Sequence, residues 1–198
     1  MEKAVNRFYT SMEIKELTGE QIRRIYKERM PEDFSPDEIK PLSRIEEALS
    51  TGHYACYGAF EGVQILAYAF FVINNRYALL DYFAVRDDMR GKGIGSKFIQ
   101  KMTKGLMHRF ENVLLESEDP DYADSEAERS VMERRIRFYL ENGLVKTGVR
   151  STVWNVYYRV LSFPVGSIPS ADQTREIYRG LYRVMLPEEL YNTKVLVS

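Results

Sequence analysis

Residues 79–99 read LLDYFAVRDDMRGKGIGSKFI and decide how the rest of the chain is interpreted. An apolar strand leads into a short charged loop, the loop contains three alternating glycines, and a helix with an apolar stripe follows. Glycine lets the backbone approach a ligand closely because it carries no Cβ. The amides from Gly91 to Ser96 are expected at the N-terminus of this helix, which carries about half a positive charge. The stretch therefore predicts a site for a diphosphate group.

Two common phosphate-binding patterns do not fit the spacing. The Gly-x-Gly-x-x-Gly fingerprint of dinucleotide-binding proteins needs a glycine where Ser96 stands. A Walker loop needs four residues between its first glycine and a Gly-Lys-Ser/Thr, which Gly91-Lys92-Gly93 does not supply. The spacing that fits is Arg/Gln-x-x-Gly-x-Gly/Ala, with Arg90, Gly93 and Gly95. Placed after a strand that ends in Phe83-Ala84-Val85, it resembles the coenzyme A loop of the GNAT superfamily of N-acetyltransferases.

The order of predicted elements agrees with this resemblance. Hydrophobic periodicity and turn residues predict strand, two helices, three strands, helix, strand, helix and two strands between residues 11 and about 163, which is the GNAT order. The resemblance implies an α/β, GNAT-like three-layer fold with a mixed, mostly antiparallel central sheet. This sheet is expected to splay between the strands 77–85 and 113–118, which a crossover helix joins and which should therefore pair in parallel.

The chain is expected to form a single GNAT-like domain over residues 1–198, with a core of about 11–163 and a C-terminal extension of 164–198. The extension lies outside the shared core. It contains an amphipathic pattern that places Ile177, Leu181 and Val184 on one face of a last helix. This appended helix either covers the sheet or forms a contact in a homodimer.

The resemblance implies acetyl-CoA as the co-substrate, with its diphosphate on the glycine-loop amides. The pantetheine arm would pair with the last strand residues before the loop, as an added strand does. The predicted cofactor-binding residues are Phe83, Ala84, Val85, Arg90, Gly91, Lys92, Gly93, Ile94, Gly95 and Ser96.

A second motif, Phe138-Tyr139-x-x-x-Gly143-Leu144, resembles the family's junction between helix and strand, where the tyrosine is commonly the general acid. A phenol there can protonate the thiolate that leaves when an amine attacks a thioester. The resemblance therefore implies this role for Tyr139, although a core aromatic with a satisfied hydroxyl would also explain it. The family often has alanine where Arg135 stands, so Arg135 either reaches the cofactor or pairs with an acid.

A base is also needed, because an alkyl amine with a pKa of about 10 is mostly protonated at neutral pH. Asp81 lies four residues before the end of its strand, and Glu116 and Glu118 share one face of the strand 113–118. The chemistry assigns the base to Asp81 or Glu116. The alternative is that each carboxylate simply pairs with an arginine.

Composition and charge narrow the class of partner. The net charge of −1 gives no reason to expect nucleic acid or a membrane, and the single cysteine, Cys56, fits a cytoplasmic protein without disulfides. His53 and His108 lie far apart, so no metal is expected. Residues 111–128 contain acids and neither lysine nor arginine, which would attract a cationic amine. The acceptor is therefore expected to be a small-molecule or peptide amine.

The sequence thus predicts an acetyl-CoA-dependent N-acetyltransferase that acts on a primary amine by direct attack, with Tyr139 as general acid. Two alternatives use the same fold. The chain could bind acyl-CoA as a non-catalytic sensor, or its extension could make it an interaction module. A functional test of Tyr139 separates the enzyme from the sensor.

Overall fold

The computed structural model describes residues 12–105, 107–163, 165 and 167–198. Residue 11, where the predicted core begins, lies outside this part. The chain divides into two compact units, of which the first comprises Met1–Phe71 with Tyr82–Met102 and the second Val72–Asp81 with Thr103–Ser198.

The elements agree with those predicted except for two additional short helices, Met30–Asp33 and Glu188–Lys194, and Tyr77–Val85 is a strand with both predicted ends. Thr18 caps the first helix with a reciprocal capping box to Gln21, which satisfies two backbone donors that a helix N-terminus leaves open. The helices are α1 (Gly19–Glu28), α2 (Met30–Asp33), α3 (Leu42–Ser50), α4 (Ile94–Gly105), α5 (Glu126–Glu141), α6 (Ala171–Met185) and α7 (Glu188–Lys194). The strands are β1 (Glu13–Glu16), β2 (Tyr54–Glu61), β3 (Gln64–Asn74), β4 (Tyr77–Val85), β5 (Asn112–Glu118), β6 (Val145–Val153), β7 (Val156–Phe163) and β8 (Val195–Val197).

The strands form a mixed, mostly antiparallel sheet, as predicted, in the order β1-β2-β3-β4-β5-β7-β6-β8. Strands β4 and β5 pair in parallel, from Tyr77 opposite Asn112 to Leu80 opposite Leu115. This pairing covers only the first four residues of β4 and stops well before Val85. The sequence predicted a sheet that opens between these two strands, and an early end to their pairing is what such an opening requires.

The first unit contains α1 to α3 and the glycine loop. Strand β2 and the central part of β3 are buried along nearly their whole length, which is typical of strands covered on both faces. Tyr82 is 3% exposed, and its hydroxyl donates to the carbonyl of Glu38 (2.7 Å) and accepts from the amide of Lys40 (2.9 Å). These two bonds hold the segment between α2 and α3 against β4.

The second unit contains the C-terminal extension, whose main helix buries a face different from the predicted one. Of the predicted set, Leu181 is fully buried, whereas Ile177 and Val184 are only half-buried. The buried residues are Thr174, Tyr178, Leu181 and Tyr182. The aliphatic pattern missed this face because two of its four buried residues are tyrosines. α6 packs within its own unit, where the Asn74 amide donates to the Gly180 carbonyl (3.0 Å), and β8 pairs with β6.

Replacing Leu181 with alanine is expected to lower the free energy of unfolding by about 2–5 kcal/mol, because a fully buried leucine leaves a cavity. The matched control is Leu190→Ala in α7, where the side chain is 38% exposed and the loss should stay below about 1 kcal/mol. Urea unfolding followed by circular dichroism measures both. A loss at Leu181 no larger than at Leu190 would contradict the burial of this face of α6.

Candidate active site

Two glycines of the predicted loop have a backbone conformation that favours glycine. Gly91 and Gly93 have φ of 69° and 73°, a left-handed region that side chains with a Cβ rarely occupy. Helix α4 begins at Ile94, and its amide groups at 94–96 belong to the first turn, where a helix has no internal acceptors. The loop therefore has the local geometry of an anion site at a helix N-terminus.

Buried apolar side chains fix this loop on both sides. Met89 before the glycines is 3% exposed, and Ile94 and Phe98 after them are each 1% exposed. Phe98 stacks on Phe83 of β4, with ring centroids 5.5 Å apart. The end of β4 is thereby packed against the helix that follows the loop.

Arg90 holds the loop through contacts that the sequence did not indicate. Its guanidinium donates to the Val85 carbonyl (3.2 Å) and to the carboxylate of Asp33 (3.0 Å), and it also pairs with Asp87 (2.8 Å). The side chain of Asp33 is only 2% exposed and also accepts a hydrogen bond from Tyr68 (2.9 Å). Arg90 thus connects the predicted cofactor loop to a buried carboxylate of α2.

In the second unit, Tyr139 lies on the buried face of α5. Its side chain is 7% exposed, and burial raises the pKa of the phenol to about 12, although the nearby Arg135 works in the opposite direction. Among the described residues, no side chain or carbonyl forms a hydrogen bond with its hydroxyl. The phenol therefore stays protonated at neutral pH, as a proton donor must.

Arg135, one helical turn before Tyr139, forms an ion pair with Glu118 of β5 (2.5 Å). The sequence left two possibilities for Arg135, contact with the cofactor or pairing with an acid, and the structure shows the pair with an acid.

Asp81 and Glu116 occupy the next positions on β4 and β5 after their last pair, Leu80 and Leu115. Both carboxylates are half-buried. Tyr182 lies near both of them, since each contributes to raising the pKa of its phenol. The structure thus brings together the two residues between which the base was left open.

Two tyrosines of α6 bind Glu116. The Tyr182 hydroxyl donates to Oε2 (2.8 Å) and approaches Oε1 (3.0 Å), and the Tyr178 hydroxyl donates to Oε1. Ser151 of β6 adds a longer contact of 3.5 Å. Burial and the negative charge of Glu116 raise the pKa of both phenols well above the ordinary value. We call Glu116, Tyr178, Tyr182 and Ser151 the Glu116 cluster. The two tyrosines lie four residues apart and therefore on one face of the helix, a sequence signal that was not used to predict the site.

Arginines neutralise several acids of the run 111–128. Asp119 pairs with Arg159 (2.7 Å) and Arg150 (3.2 Å), and Asp121 pairs with the same two arginines. The arginines come from β6 and β7, so the sequence run alone overstated the negative charge of this surface.

A separate cavity of about 730 Å³ lies in the second unit between the start of β5 and α6, lined by residues that include Asn74, Asn112, Gln173 and Glu176. It contains none of the predicted site residues. Within the described ranges, no helix is long and apolar enough to cross a membrane, and no three His, Cys, Asp or Glu side chains are grouped to hold a metal ion.

Comparisons with known proteins agree with this fold. Residues 20–127, more than half of the chain, match the model of the acetyltransferase (GNAT) family. The Bacillus subtilis (strain 168) protein named "Putative acetyltransferase YjbC" is 34% identical over 113 residues, which cover 57% of this chain and 52% of that protein. The chain thus matches about half the length of this curated relative.

Solved structures share the fold at low sequence identity. A GNAT-family protein from Bacteroides thetaiotaomicron has a TM-score of 0.64 at 17% identity, covering 87% of this chain and 95% of that one. An aminoglycoside 6'-N-acetyltransferase complexed with coenzyme A has a TM-score of 0.59 at 15% identity, covering 80% and 99%.

Replacing Gly93 with alanine is expected to lower the free energy of unfolding by about 1–2 kcal/mol, because alanine must adopt a left-handed conformation. Gly105→Ala at the end of the same helix is the matched control, since a Cβ there meets no atom within 4 Å. That change should be neutral or stabilise by up to about 1 kcal/mol. Thermal unfolding of both variants tests the loop geometry, and equal effects would contradict it.

Proposed function

Because the chain belongs to the acetyltransferase (GNAT) family, we propose that it transfers an acetyl group from acetyl-CoA to a primary amine. The observation that carries this proposal is the glycine loop, with left-handed Gly91 and Gly93 directly before the N-terminus of α4. Backbone amides at such a helix start bind phosphate groups through hydrogen bonds and the helix dipole. That the aminoglycoside enzyme of the same fold was solved with coenzyme A supports this ligand.

Different residues would bind the diphosphate and the pantetheine arm of acetyl-CoA. The diphosphate would lie on the amides of the predicted residues Gly91, Lys92, Gly93, Ile94, Gly95 and Ser96. Arg90 would fix the loop from its contacts with Val85 and Asp33. The pantetheine arm would pair with the backbone of Phe83, Ala84 and Val85 as an added strand.

The chemical step exchanges a C–S bond for a C–N bond. The unprotonated amine attacks the thioester carbonyl, and a strand amide near Ala84 or Val85 would stabilise the oxyanion. The carbon–sulfur bond then breaks, and the coenzyme A thiolate receives a proton from Tyr139. The acceptor nitrogen loses its proton to Asp81 or Glu116, directly or through water. The carboxylate then releases its proton to solvent and Tyr139 takes one back, so that both groups return to their starting states and no atom is oxidised or reduced.

Thermal unfolding with added ligands tests the donor. Acetyl-CoA or CoA at about a hundred times a micromolar dissociation constant should stabilise the protein by about 2.7 kcal/mol, which corresponds to about 5–10 °C for a chain of this length. NAD at the same concentration is the control and should cause no shift. If neither CoA species raises the melting temperature, the glycine loop is a structural turn and the proposal is wrong.

Replacing Tyr139 with phenylalanine should lower kcat by about 10²–10⁴-fold, the usual contribution of a general acid, with the CoA-induced thermal shift retained. Because burial raises the pKa of Tyr139 to about 12, this phenol should remain protonated and cause no loss of rate between about pH 7 and 10. The rate should instead rise with pH as the acceptor amine deprotonates. Release of CoA thiol from acetyl-CoA, with an aminoglycoside, spermidine and a peptide as acceptors, measures these effects.

Tyr191→Phe, in α7, is the matched control because it removes the same hydroxyl from a buried tyrosine outside the proposed site. Its rate should equal that of the unmodified protein. If the unmodified protein binds CoA but transfers no acetyl group to any of the three acceptors, the result would favour a non-catalytic acyl-CoA sensor.

A further inference from the structure

A buried carboxylate of the first unit, Asp33, accepts hydrogen bonds from three side chains, one of which belongs to the cofactor loop. Asp33 is the last residue of α2, and its side chain is 2% exposed. Its Oδ1 accepts from the Arg90 guanidinium (3.0 Å). Its Oδ2 accepts from Arg29 (3.3 Å) and from the Tyr68 hydroxyl (2.9 Å). Because a buried charge without partners is costly, these donors fix the carboxylate, and Asp33 is a firm attachment point for the loop.

The Arg90 side chain connects the loop with the end of β4 and with α2. Its Nε donates to the carbonyl of Val85, the last residue of β4 (3.2 Å), and its Nη2 donates to Asp33 and pairs with Asp87 (2.8 Å). Of the two acids, Asp87 is 74% exposed, whereas Asp33 is buried. An ion pair with an exposed acid contributes little, whereas loss of a buried partner is costly. Arg90 therefore depends mainly on Asp33 for its position.

These contacts indicate how Arg90 acts on acetyl-CoA. Two carboxylates compensate its charge, and its Nε is bound to a backbone carbonyl. A guanidinium with such partners is better suited to hold the loop than to bind a phosphate directly. Glycine populates several backbone conformations readily, so Gly91 and Gly93 do not by themselves keep the loop amides in one direction. Arg90 lies directly before Gly91 and restricts the chain where it enters the loop.

We infer that Asp33 is a positioning residue of the cofactor site: through Arg90 it holds the glycine loop in the conformation that binds the diphosphate of acetyl-CoA. This inference rests on the proposed function and deepens it, since it gives α2 a role in cofactor binding. Asp33 does not itself contact the cofactor in this role. Loss of its charge should therefore weaken binding of acetyl-CoA without removing any group that touches it.

Isothermal titration calorimetry with acetyl-CoA measures this effect, and Asp33→Asn is the first variant. Asparagine keeps the shape and one acceptor oxygen but removes the charge that holds Arg90. The dissociation constant should rise by about tenfold or more, the effect of losing one hydrogen bond between charged groups. An unchanged dissociation constant in the folded variant would overturn the inference.

Arg29→Gln is the matched control. Arg29 donates to the same carboxylate, but within the described residues it forms no hydrogen bond or ion pair with the glycine loop. Its loss should lower the melting temperature and change the dissociation constant of acetyl-CoA by less than about twofold. If Arg29→Gln weakens binding as much as Asp33→Asn does, the effect is a general loss of structure and the inference is wrong.

A double-mutant cycle tests whether Asp33 acts through Arg90. Arg90→Gln should weaken binding at least as much as Asp33→Asn. The variant with both changes should bind within about twofold of Arg90→Gln, because the two changes remove one shared interaction. If the two factors multiply instead, Asp33 acts by another route and the inference fails.

Arg90→Lys separates position from charge. Lysine keeps the positive charge, but one ammonium cannot replace the two separate nitrogens that reach Asp33 and the Val85 carbonyl. It should therefore bind acetyl-CoA about threefold more weakly than the unmodified protein, or worse. Unchanged affinity in Arg90→Lys would mean that a positive charge near a phosphate suffices, which contradicts a positioning role.

Thermal unfolding without ligand shows which variants are folded at the temperature of the titration. Arg90 is 55% exposed, so its variants should fold, and the lysine comparison decides the question if Asp33→Asn does not. Failure of the inference leaves acetyl-CoA binding by the unmodified protein intact. If the unmodified protein itself does not bind acetyl-CoA, the proposed function is wrong and the inference falls with it.

Discussion

The early end of the pairing between β4 and β5 is the constraint on which the candidate site depends. The two strands pair in parallel only from Tyr77 and Asn112 to Leu80 and Leu115, although both continue beyond this point. Backbone groups that leave a ladder need other partners, such as a ligand that adds as a strand. The same constraint places Asp81 and Glu116 immediately after the last pair, where their carboxylates need not pack into a continuous hydrophobic layer.

The glycine loop could be predicted from sequence because its requirements are local. A loop of alternating glycines followed by a helix start is set by a few consecutive residues, and the structure has both, with left-handed backbone at Gly91 and Gly93. Parallel pairing of β4 and β5 could also be predicted, since a crossover helix between two strands requires it. The ion pair between Arg90 and Asp33 could not be predicted, because 57 residues separate the two and no sequence motif connects them.

The extension was predicted only in outline for a related reason. A helix with Leu181 on its buried face was expected and is present, but Ile177 and Val184 do not define that face. Aliphatic periodicity identifies a helix that packs on an apolar layer. Here the helix packs partly on a carboxylate, so tyrosines replace aliphatic residues. Likewise, the acids at 118–121 looked uncompensated because their arginines lie on α5, β6 and β7.

Two glutamates of β5 have chemically different partners: phenols bind Glu116, whereas a guanidinium binds Glu118. An arginine would satisfy a half-buried carboxylate with hydrogen bonds and an opposite charge, as Arg135 does for Glu118. At Glu116 two phenols of α6 supply uncharged donors. Burial of a carboxylate costs stability unless it is hydrogen-bonded, and these donors reduce that cost. The packing of α6 therefore depends on these polar contacts as well as on its apolar residues, and a pattern of aliphatic residues alone could not reveal them.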